Sequence, residues 1–424
     1  MRQVLIFILT AAILVLSLIA VATIPTENIR DNLETSADYL SSDKQNWRYV
    51  LDGVDASQLD LYADSMLLDI ACYMDSGHPL QSVMWARYYW GQGLKINASL
   101  LKAVTENPEP NKEYVRYWHG SLVFVRPLLL IMDLQGIYVL HAVILALLLA
   151  FILFLLIRNN LKAEAISLCI AMVAVNAVFV PFCLEYYWMF LLMFIASILA
   201  VRFSLADRYD RLPALFLIIG IVAAFLDFFT TETLTITVPL LLSLRIRERQ
   251  RHEEGSLKFI IKCMLLWGIG YVGMWVLKWI LASVVIGENA MQYVQGSIGE
   301  HLGMDDRYPA YLILLDAILR NIWALFPFGY GMAGGAVFVG LLGVVVLLIL
   351  KNRIVVRETV NGSWVKIYAL IGVVPYIRYL AIRHHSWFHY FFTHRAQAAT
   401  VMALCFIAME CLKWEKRKCL TSPS

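Results

Sequence analysis

Residues 136–157 read GIYVLHAVILALLLAFILFLLI, and this stretch decides the class of fold. It contains no Asp, Glu, Lys or Arg. An α-helix needs about 20 mainly apolar residues to cross the roughly 30 Å hydrocarbon core of a bilayer, so the stretch predicts a membrane-spanning helix. The whole chain has a similar character, because 60% of its 424 residues are hydrophobic and only 16% are charged. These proportions exclude a single water-soluble core.

Nine further apolar runs indicate additional spans. The first could belong to a signal peptide, but its apolar stretch is longer than a signal core and is followed by Pro25, so we interpret it as a retained helix. The sequence therefore predicts an all-α polytopic protein of about ten transmembrane helices, forming a single membrane domain over 1–424. The nine runs lie at 4–24, 165–183, 186–201, 213–228, 234–244, 263–286, 331–350, 364–377 and 396–412.

The basic residues predict an orientation. Placing Met1 inside puts most of the Lys and Arg residues in cytoplasmic connections and most of the Asp and Glu residues outside, as the positive-inside rule requires. An even number of spans then predicts that both termini are cytoplasmic. The formal net charge is only +3 and the basic residues are dispersed, so no nucleic-acid partner is expected.

The outer connections differ greatly in length. Residues 25–135 are predicted as a first external loop inserted between the first two spans, with amphipathic interfacial helices at 51–71 and 82–101. Residues 287–330 are predicted as a second external segment that offers another interfacial helix and includes 305–307, which read Asp-Asp-Arg. The chain thus places its polar mass on one predicted side.

Ionisable side chains close to a span are costly and are therefore candidates for function. The densest group is the histidine cluster at 384–394, where His385 and His389 have the spacing of one helical face. Three interpretations stay open: metal ligation, a phosphate or sugar site with arginines as anion clamps, and a solvated interfacial belt. The predicted substrate-binding residues are Asp227, Glu185, His384, His385, His389, Arg395, Arg378, Arg126, His119 and Lys278.

Four acids of the first external loop are candidates for a general base. Asp60 and Asp64 are spaced i, i+4, whereas Asp31 and Glu34 come directly after the first span. A carboxylate there can accept a proton from a hydroxyl acceptor; the alternative is a solvated helix face. The chain has no HExxH, GxSxG or GxxxxGK[ST] motif. A divalent metal, Mg²⁺ or Mn²⁺, stays open as a cofactor.

Several segments resemble a group of uncharacterised bacterial polytopic membrane proteins associated with the GT-C class of integral-membrane glycosyltransferases. The order of features also resembles that class: one span, a long acidic external loop and then many spans with short connections. The resemblance covers most of the chain. The segments are IPTENIRDNLETSADYL at 24–40, YADSMLLDIA at 62–71, RYWHGSLVFVRPLLL at 116–130, FLDFFTTETLTITVPLLL at 225–242, GYVGMWVLKW at 270–279 and HHSWFHYFFTHRAQA at 384–398.

The resemblance implies transfer of a sugar, with inversion, from a polyprenyl-phosphate donor to a glycan, lipid or protein acceptor. The reaction would occur at the outer face of a bacterial cytoplasmic membrane, with membrane lipid as a further partner. The base would be one of the four first-loop acids, and Arg378, Arg383 and Arg395 would bind the lipid phosphate. The alternatives are a transporter or a lipid or polysaccharide flippase, and a polysaccharide polymerase or ligase. A transporter is expected to show two similar halves, and the sequence shows no internal repeat.

Overall fold

The computed structural model describes residues 1–43, 45–251, 257–293 and 309–415. This part of the chain is mostly helical. The helices are α1 Arg2–Ala22, α2 Arg30–Ser41, α3 Leu61–Cys72, α4 Pro79–Trp85, α5 Ile96–Glu106, α6 Leu122–Leu128, α7 Leu134–Arg158, α8 Lys162–Ala174, α9 Leu184–Leu205, α10 Leu212–Leu226, α11 Leu234–Arg251, α12 Leu257–Ile286, α13 Ala310–Trp323, α14 Gly331–Leu350, α15 Gly362–Gly372, α16 Val374–Ala381, α17 Arg383–Phe388, α18 Tyr390–Thr393 and α19 Ala398–Cys411.

Eight stretches of helix within the described ranges are long and apolar enough to cross a membrane. They confirm a polytopic, helical membrane protein, and each coincides with one of the ten predicted spans. Three of them combine consecutive helical elements: Tyr209–Leu226, Gly362–Ala381 and Tyr390–Cys411. The stretches are Arg2–Ala22, Leu134–Arg158, Leu184–Leu205, Tyr209–Leu226, Leu257–Ile286, Gly331–Leu350, Gly362–Ala381 and Tyr390–Cys411.

The other two predicted spans correspond to α8 and α11. Helix α8 has 13 residues and is followed by the 3-10 helix Ala177–Phe182, whereas α11 has 18 residues and ends in the charged run RIRERQR. Glu164 at the start of α8 and Glu410 at the end of α19 both bind Arg245 in the last part of α11. The ends of these three helices therefore meet at one end of the bundle, which we call the Arg245 end.

Helices α10 and α12 approach each other very closely. A Cβ atom on Gly220 would lie 2.1 Å from the Trp267 carbonyl oxygen, and one on Gly270 would lie 2.4 Å from that of Leu217. Both positions therefore need glycine. Small residues of this kind allow membrane helices to pack backbone against backbone, and α12 also contacts α4.

Residues 25–135, which were predicted to be external and are called the first external segment below, are less helical than predicted. The pattern at 51–71 is a helix only from Leu61 onwards, because Gly53 takes a positive φ of 74° and the strand Gln58–Asp60 pairs with Trp47–Tyr49. The pattern at 82–101 is likewise interrupted, since Ala86 ends α4 in a left-handed conformation and a strand follows. Both predictions of continuous helices were wrong, because left-handed turns and strand pairing stop each helix. The strands are β1 Trp47–Tyr49, β2 Gln58–Asp60, β3 Arg87–Tyr88, β4 Lys112–Glu113, β5 Ile354–Val356 and β6 Leu412–Trp414, paired β1–β2, β3–β4 and β5–β6.

The second external segment contains α13, which packs against the short helix α17. Asn321 of α13 donates a hydrogen bond to the Ser386 carbonyl oxygen at 2.9 Å, and Gln397 donates one to the Asn321 carbonyl oxygen at 2.7 Å. The predicted Asp-Asp-Arg motif at 305–307 lies outside the described residues. Helix α13 thus fixes the position of α17, which carries His384 and His385.

Candidate functional site

A cavity of about 340 Å³ opens at the end of the bundle opposite Arg245. Its walls come from the first external segment, the start of α9, the turn after α10 and the segment around α17. Chain segments that are distant in sequence therefore converge on one space. The lining residues are Asp60, Tyr62, Ala63, Met66, Leu67, Tyr114, Arg116, Tyr117, His119, Glu185, Phe228, His384, His385, Phe388 and His389.

Two carboxyl groups line this cavity. Asp60 is the N-cap of α3, where its Oδ1 accepts a hydrogen bond from the Ala63 backbone N–H at 3.1 Å. Burial raises the pKa of Asp60 to about 6. Glu185 lies in the first turn of α9, and its buried Oε2 meets no hydrogen-bond donor in the part of the chain that is described. The carboxyl groups of Asp60 and Glu185 are close enough to repel each other when both are charged.

A guanidinium group lines the same cavity. Arg116 lies 4.7 Å from the ring centroid of Tyr114 and 5.1 Å from that of Tyr117. It also donates a hydrogen bond to the Tyr114 hydroxyl at 3.0 Å. The Tyr117 ring packs in turn on Trp275 of α12, with centroids 5.0 Å apart. Aromatic rings anchored on a spanning helix therefore hold the charge of Arg116 in place.

Three histidines face the cavity from α17 and the turn after it. The His385 and His389 ring centroids are 4.6 Å apart, as expected for neighbours at i, i+4. The His389 ring also stacks on Phe392, with centroids 5.1 Å apart. His384 completes the group. Within the described ranges, no group of three or more His, Cys, Asp or Glu side chains is arranged to hold a metal ion.

His119 approaches the cavity from the first external segment. It has a positive φ of 53°, and its buried ring contacts Tyr114 and Phe228. Burial lowers the pKa of His119 well below its ordinary value, and the positive charges of Lys278 and Arg116 lower it further. These influences favour the neutral form of the His119 imidazole, which lines the cavity.

Asp227 organises the turn that forms one cavity wall. It accepts hydrogen bonds from the backbone N–H groups of Phe229 at 3.1 Å and Thr230 at 3.0 Å, and from the Tyr271 hydroxyl at 3.1 Å. Burial, and then the charge of Glu232, raise the pKa of Asp227 to about 6. This turn holds Phe228 in the cavity wall, so Asp227 acts behind the cavity surface.

Arg378 supports the same turn from α16. Its guanidinium binds Glu232 at 2.7 Å, the backbone carbonyl of Thr230 at 3.1 Å and the Ser386 hydroxyl at 3.2 Å. It also donates to the carbonyl oxygen of Phe229. Its donors thus join the turn after α10 to the histidine-bearing helix α17.

Asp64 lies behind the cavity wall. It is fully buried and accepts hydrogen bonds from the Leu184 backbone N–H at 2.9 Å, the Cys183 thiol at 3.4 Å and the Tyr138 hydroxyl. Burial raises the pKa of Asp64 to about 7. These contacts tie α3 to α7 and α9.

The two acids that follow the first span lie elsewhere. Asp31 and Glu34 are exposed on α2 and are absent from the cavity lining. Among the four candidate bases, Asp60 alone lines the cavity. The i, i+4 spacing of Asp60 and Asp64 therefore does not give them a shared surface, because Asp60 caps the helix and Asp64 points into the core.

Three predicted cations occupy structural positions. Lys278 is fully buried and donates to the carbonyl oxygens of Val83 at 2.8 Å and Met84 at 3.2 Å, which belong to the last turn of α4. The negative end of that helix dipole stabilises the ammonium group. Arg126 donates to the Ile24 carbonyl oxygen at 2.7 Å, next to the end of α1.

The third of these cations is Arg395. It stacks over Tyr186, 4.5 Å from the ring centroid, and donates to the Ala56 carbonyl oxygen at 3.0 Å. It is 1% exposed and is not part of the cavity lining. Its positive charge nevertheless acts on Glu185 from behind the cavity wall.

The sequence-based selection did not include four polar side chains of the cavity: Tyr62, Tyr114, Arg116 and Tyr117. The dense aromatic and basic run YVRYWH at 114–119 was the available signal. Of this run, only His119 is among the predicted site residues; the composition of the run is also that of an aromatic belt at a membrane surface.

Comparison with known proteins identifies no relative. No protein-family model, no curated protein and no solved structure matches the chain.

Proposed function

We propose that this protein is a membrane glycosyltransferase that transfers a sugar from a polyprenyl-phosphate donor to an acceptor at the outer face of a bacterial cytoplasmic membrane. One observation carries the proposal: the carboxyl groups of Asp60 and Glu185 line the same cavity as Arg116 and four histidines, namely His119, His384, His385 and His389. A base and an anion site are the two elements that such a transfer needs.

In the proposed reaction, an acceptor hydroxyl oxygen attacks the anomeric carbon of the donor sugar. The new glycosidic bond forms as the bond from that carbon to the phosphate oxygen breaks, and the polyprenyl phosphate leaves with the bonding electrons. The acceptor proton passes to a carboxylate. Because attack and departure occur on opposite faces of the sugar, the configuration inverts.

Asp60 is the proposed base. Of the four acids considered, it is the one on the cavity surface, and its pKa of about 6 leaves it ionised at neutral pH while making it a better proton acceptor than an ordinary aspartate. Glu185 is the proposed second carboxylate. Its Oε2 meets no donor among the residues that the structure describes, and its side chain lines the cavity, where it can accept a hydrogen bond from another acceptor hydroxyl.

Arg116, His384 and His389 are proposed to bind the donor phosphate. The guanidinium and imidazole N–H groups can donate hydrogen bonds to this phosphate, and the positive charge of Arg116 stabilises the charge that develops on it as it leaves. A lipid donor would keep its tail in the bilayer, and Phe388 at the cavity rim is 66% exposed, so an apolar chain can lie against it. A divalent metal stays open as an additional source of charge.

An enzyme is favoured over a transporter by the distribution of ionisable groups. Those of the cavity lie at one end of the bundle, whereas Arg245 at the other end is held by Glu164, Glu248 and Glu410. A transport path would need sites near the middle of the membrane.

A turnover assay with a panel of polyprenyl-phosphate sugars tests the proposal. Asp60→Asn should abolish transfer without loss of folding, because asparagine is as good an N-cap as aspartate. Asp31→Asn is the matched control and should retain full activity, since Asp31 is exposed and outside the cavity. In the wild type, the rate should rise with pH through about 6 as Asp60 ionises. Equal activity of Asp60→Asn and wild type would refute the assignment of the base, and no transfer from any donor would refute the function.

A further inference from the structure

A second depression lies on the first external segment. It is a shallow, open groove of about 600 Å³, formed by the β3–β4 strand pair and the loop that follows β3. Two aromatic side chains, three polar side chains and two glycines line it. They are Tyr88, Trp90, Gly91, Gln92, Gly93, Asn111 and Lys112.

The loop that carries Trp90 is held in shape by its own hydrogen bonds. The Asn111 side chain accepts from the Trp90 backbone N–H at 2.9 Å and donates to the Trp90 carbonyl oxygen at 3.0 Å. The Trp90 indole N–H donates to the Leu94 carbonyl oxygen at 2.9 Å. Gly93 has a positive φ of 74°, which the tight loop requires. The Trp90 ring is therefore fixed before any ligand arrives.

The groove and the cavity share a wall of aromatic rings. Tyr62 lines the cavity, and its ring meets that of Trp90 edge to face at 6.0 Å. Tyr114 also lines the cavity, and its ring centroid is 6.3 Å from that of Tyr88. Tyr62 follows Asp60 by two residues. A ligand lying in the groove would thus lead towards the proposed base.

The chemistry of this groove suits a carbohydrate. The C–H face of a sugar ring can pack on an indole or phenol ring, whose body is apolar and whose position is fixed. Sugar hydroxyls can pair with amide and ammonium groups, which Gln92 and Lys112 supply at the exposed rim. The glycines allow a chain of sugar rings to approach the backbone closely. A hydrocarbon ligand could contact the aromatic rings but would form no hydrogen bonds with these rim groups.

We propose that this groove binds an oligosaccharide and that the acceptor of the reaction is consequently a glycan chain. The proposal of a binding site is argued from the groove alone, whereas its role as an acceptor site rests on the proposed glycosyltransferase function. The reducing or non-reducing end of the chain would reach past Trp90 and Tyr62 to Asp60.

The test uses the full-length protein in detergent micelles on an array of immobilised bacterial and plant oligosaccharides. The strongest binder is then titrated in solution against wild type, Trp90→Ala, Gln92→Ala and Trp47→Ala. Trp47 is the matched control because it is an exposed tryptophan of the same external segment outside both depressions. We expect about tenfold weaker binding for Trp90→Ala, from loss of one aromatic contact, a smaller loss for Gln92→Ala and no change for Trp47→Ala.

Failure of this inference can be distinguished from failure of the proposed function. Binding that depends on Trp90 without any sugar transfer would keep the carbohydrate site and remove its acceptor role. Transfer activity that is insensitive to Trp90→Ala and Gln92→Ala would overturn the groove as acceptor site and keep the enzyme. If no oligosaccharide binds, or if Trp47→Ala weakens binding as much as Trp90→Ala, the inference is overturned. Gln92→Ala decides the matter if Trp90→Ala does not fold, because the exposed Gln92 side chain can be truncated without opening the core.

Discussion

Replacing Asp64 separates its structural role from a catalytic one. Its side chain accepts hydrogen bonds from the Leu184 backbone N–H, the Tyr138 hydroxyl and the Cys183 thiol, all of them buried. In Asp64→Ala these donors lose their acceptor. In Asp64→Asn the amide oxygen can accept from Leu184, and the amide N–H can donate to the Tyr138 oxygen. The two variants therefore differ in hydrogen bonding, while both lack a carboxylate.

The expected loss of stability follows from these contacts. A buried donor left without an acceptor costs about 1–3 kcal/mol, and Asp64→Ala orphans the Leu184 amide and the Tyr138 hydroxyl. Removal of the carboxyl group also has a stabilising effect, because it removes the desolvation cost of burying that group. The same cost raises the pKa of Asp64 to about 7. We expect a net loss of about 2–4 kcal/mol for Asp64→Ala and less than about 1.5 kcal/mol for Asp64→Asn, which retains most of the network.

Thermal unfolding followed by tryptophan fluorescence in micelles, with the glycosyl-transfer assay run on the same preparations, measures both effects. Asp64→Ala should unfold at a clearly lower temperature, whereas Asp64→Asn should be close to wild type in stability and activity. A stable but inactive Asp64→Asn would refute this reasoning and identify Asp64 as the base in place of Asp60. Equal stability of Asp64→Ala and wild type would refute the structural role.

Three further predictions concern buried charges. Burial raises the pKa of Asp69 to about 8, so the folded chain keeps a proton that the unfolded chain releases near pH 4. The thermal midpoint of unfolding should therefore fall as the pH rises from about 4 to about 8. The dependence of the midpoint on pH should be weaker in Asp69→Asn. Lys278→Met should lower stability by about 2 kcal/mol, because two buried carbonyl oxygens of α4 lose their donor; an unchanged midpoint would contradict this role. Arg245→Met should destabilise by about 3–5 kcal/mol, since it removes the cation that Glu248 and Glu410 share, whereas Glu164 keeps its ion pair with Arg249. Adding Glu410→Gln should therefore recover part of the loss.

The membrane-spanning architecture was predictable because its signal is local. A run such as 136–157 needs only length and apolarity to be recognised, and the structure contains the helix Leu134–Arg158 there. The first external segment was less predictable, because Ala86 adopts a left-handed conformation that no periodicity reveals. An alternating or helical pattern states which residues are apolar, but it does not state where the backbone turns.

The candidate site shows the same limit. The cluster at 384–389 and Glu185 were identified from the rarity of ionisable groups near spans, and both line the cavity. Asp60 and Asp64 could not be told apart, because their difference depends on a strand pairing and a helix cap. Lys278 was selected for its position inside a span, but its partner is a helix end almost 200 positions earlier in the sequence, which only tertiary structure brings into contact.

The carboxyl groups at the two ends of the bundle differ in their ion pairing, and this difference identifies the end at which a ligand is expected. At the Arg245 end, carboxylates from three helices surround one guanidinium and Arg249 also binds Glu164, so each of these carboxylates is ion-paired within the protein itself. At the cavity, Glu185 keeps a buried oxygen that meets no donor among the described residues. Glu164 at the Arg245 end also has one oxygen without a donor among these residues, but its other oxygen is ion-paired. No ion pair within the described ranges holds Glu185, and the cavity is therefore the end at which we expect a ligand.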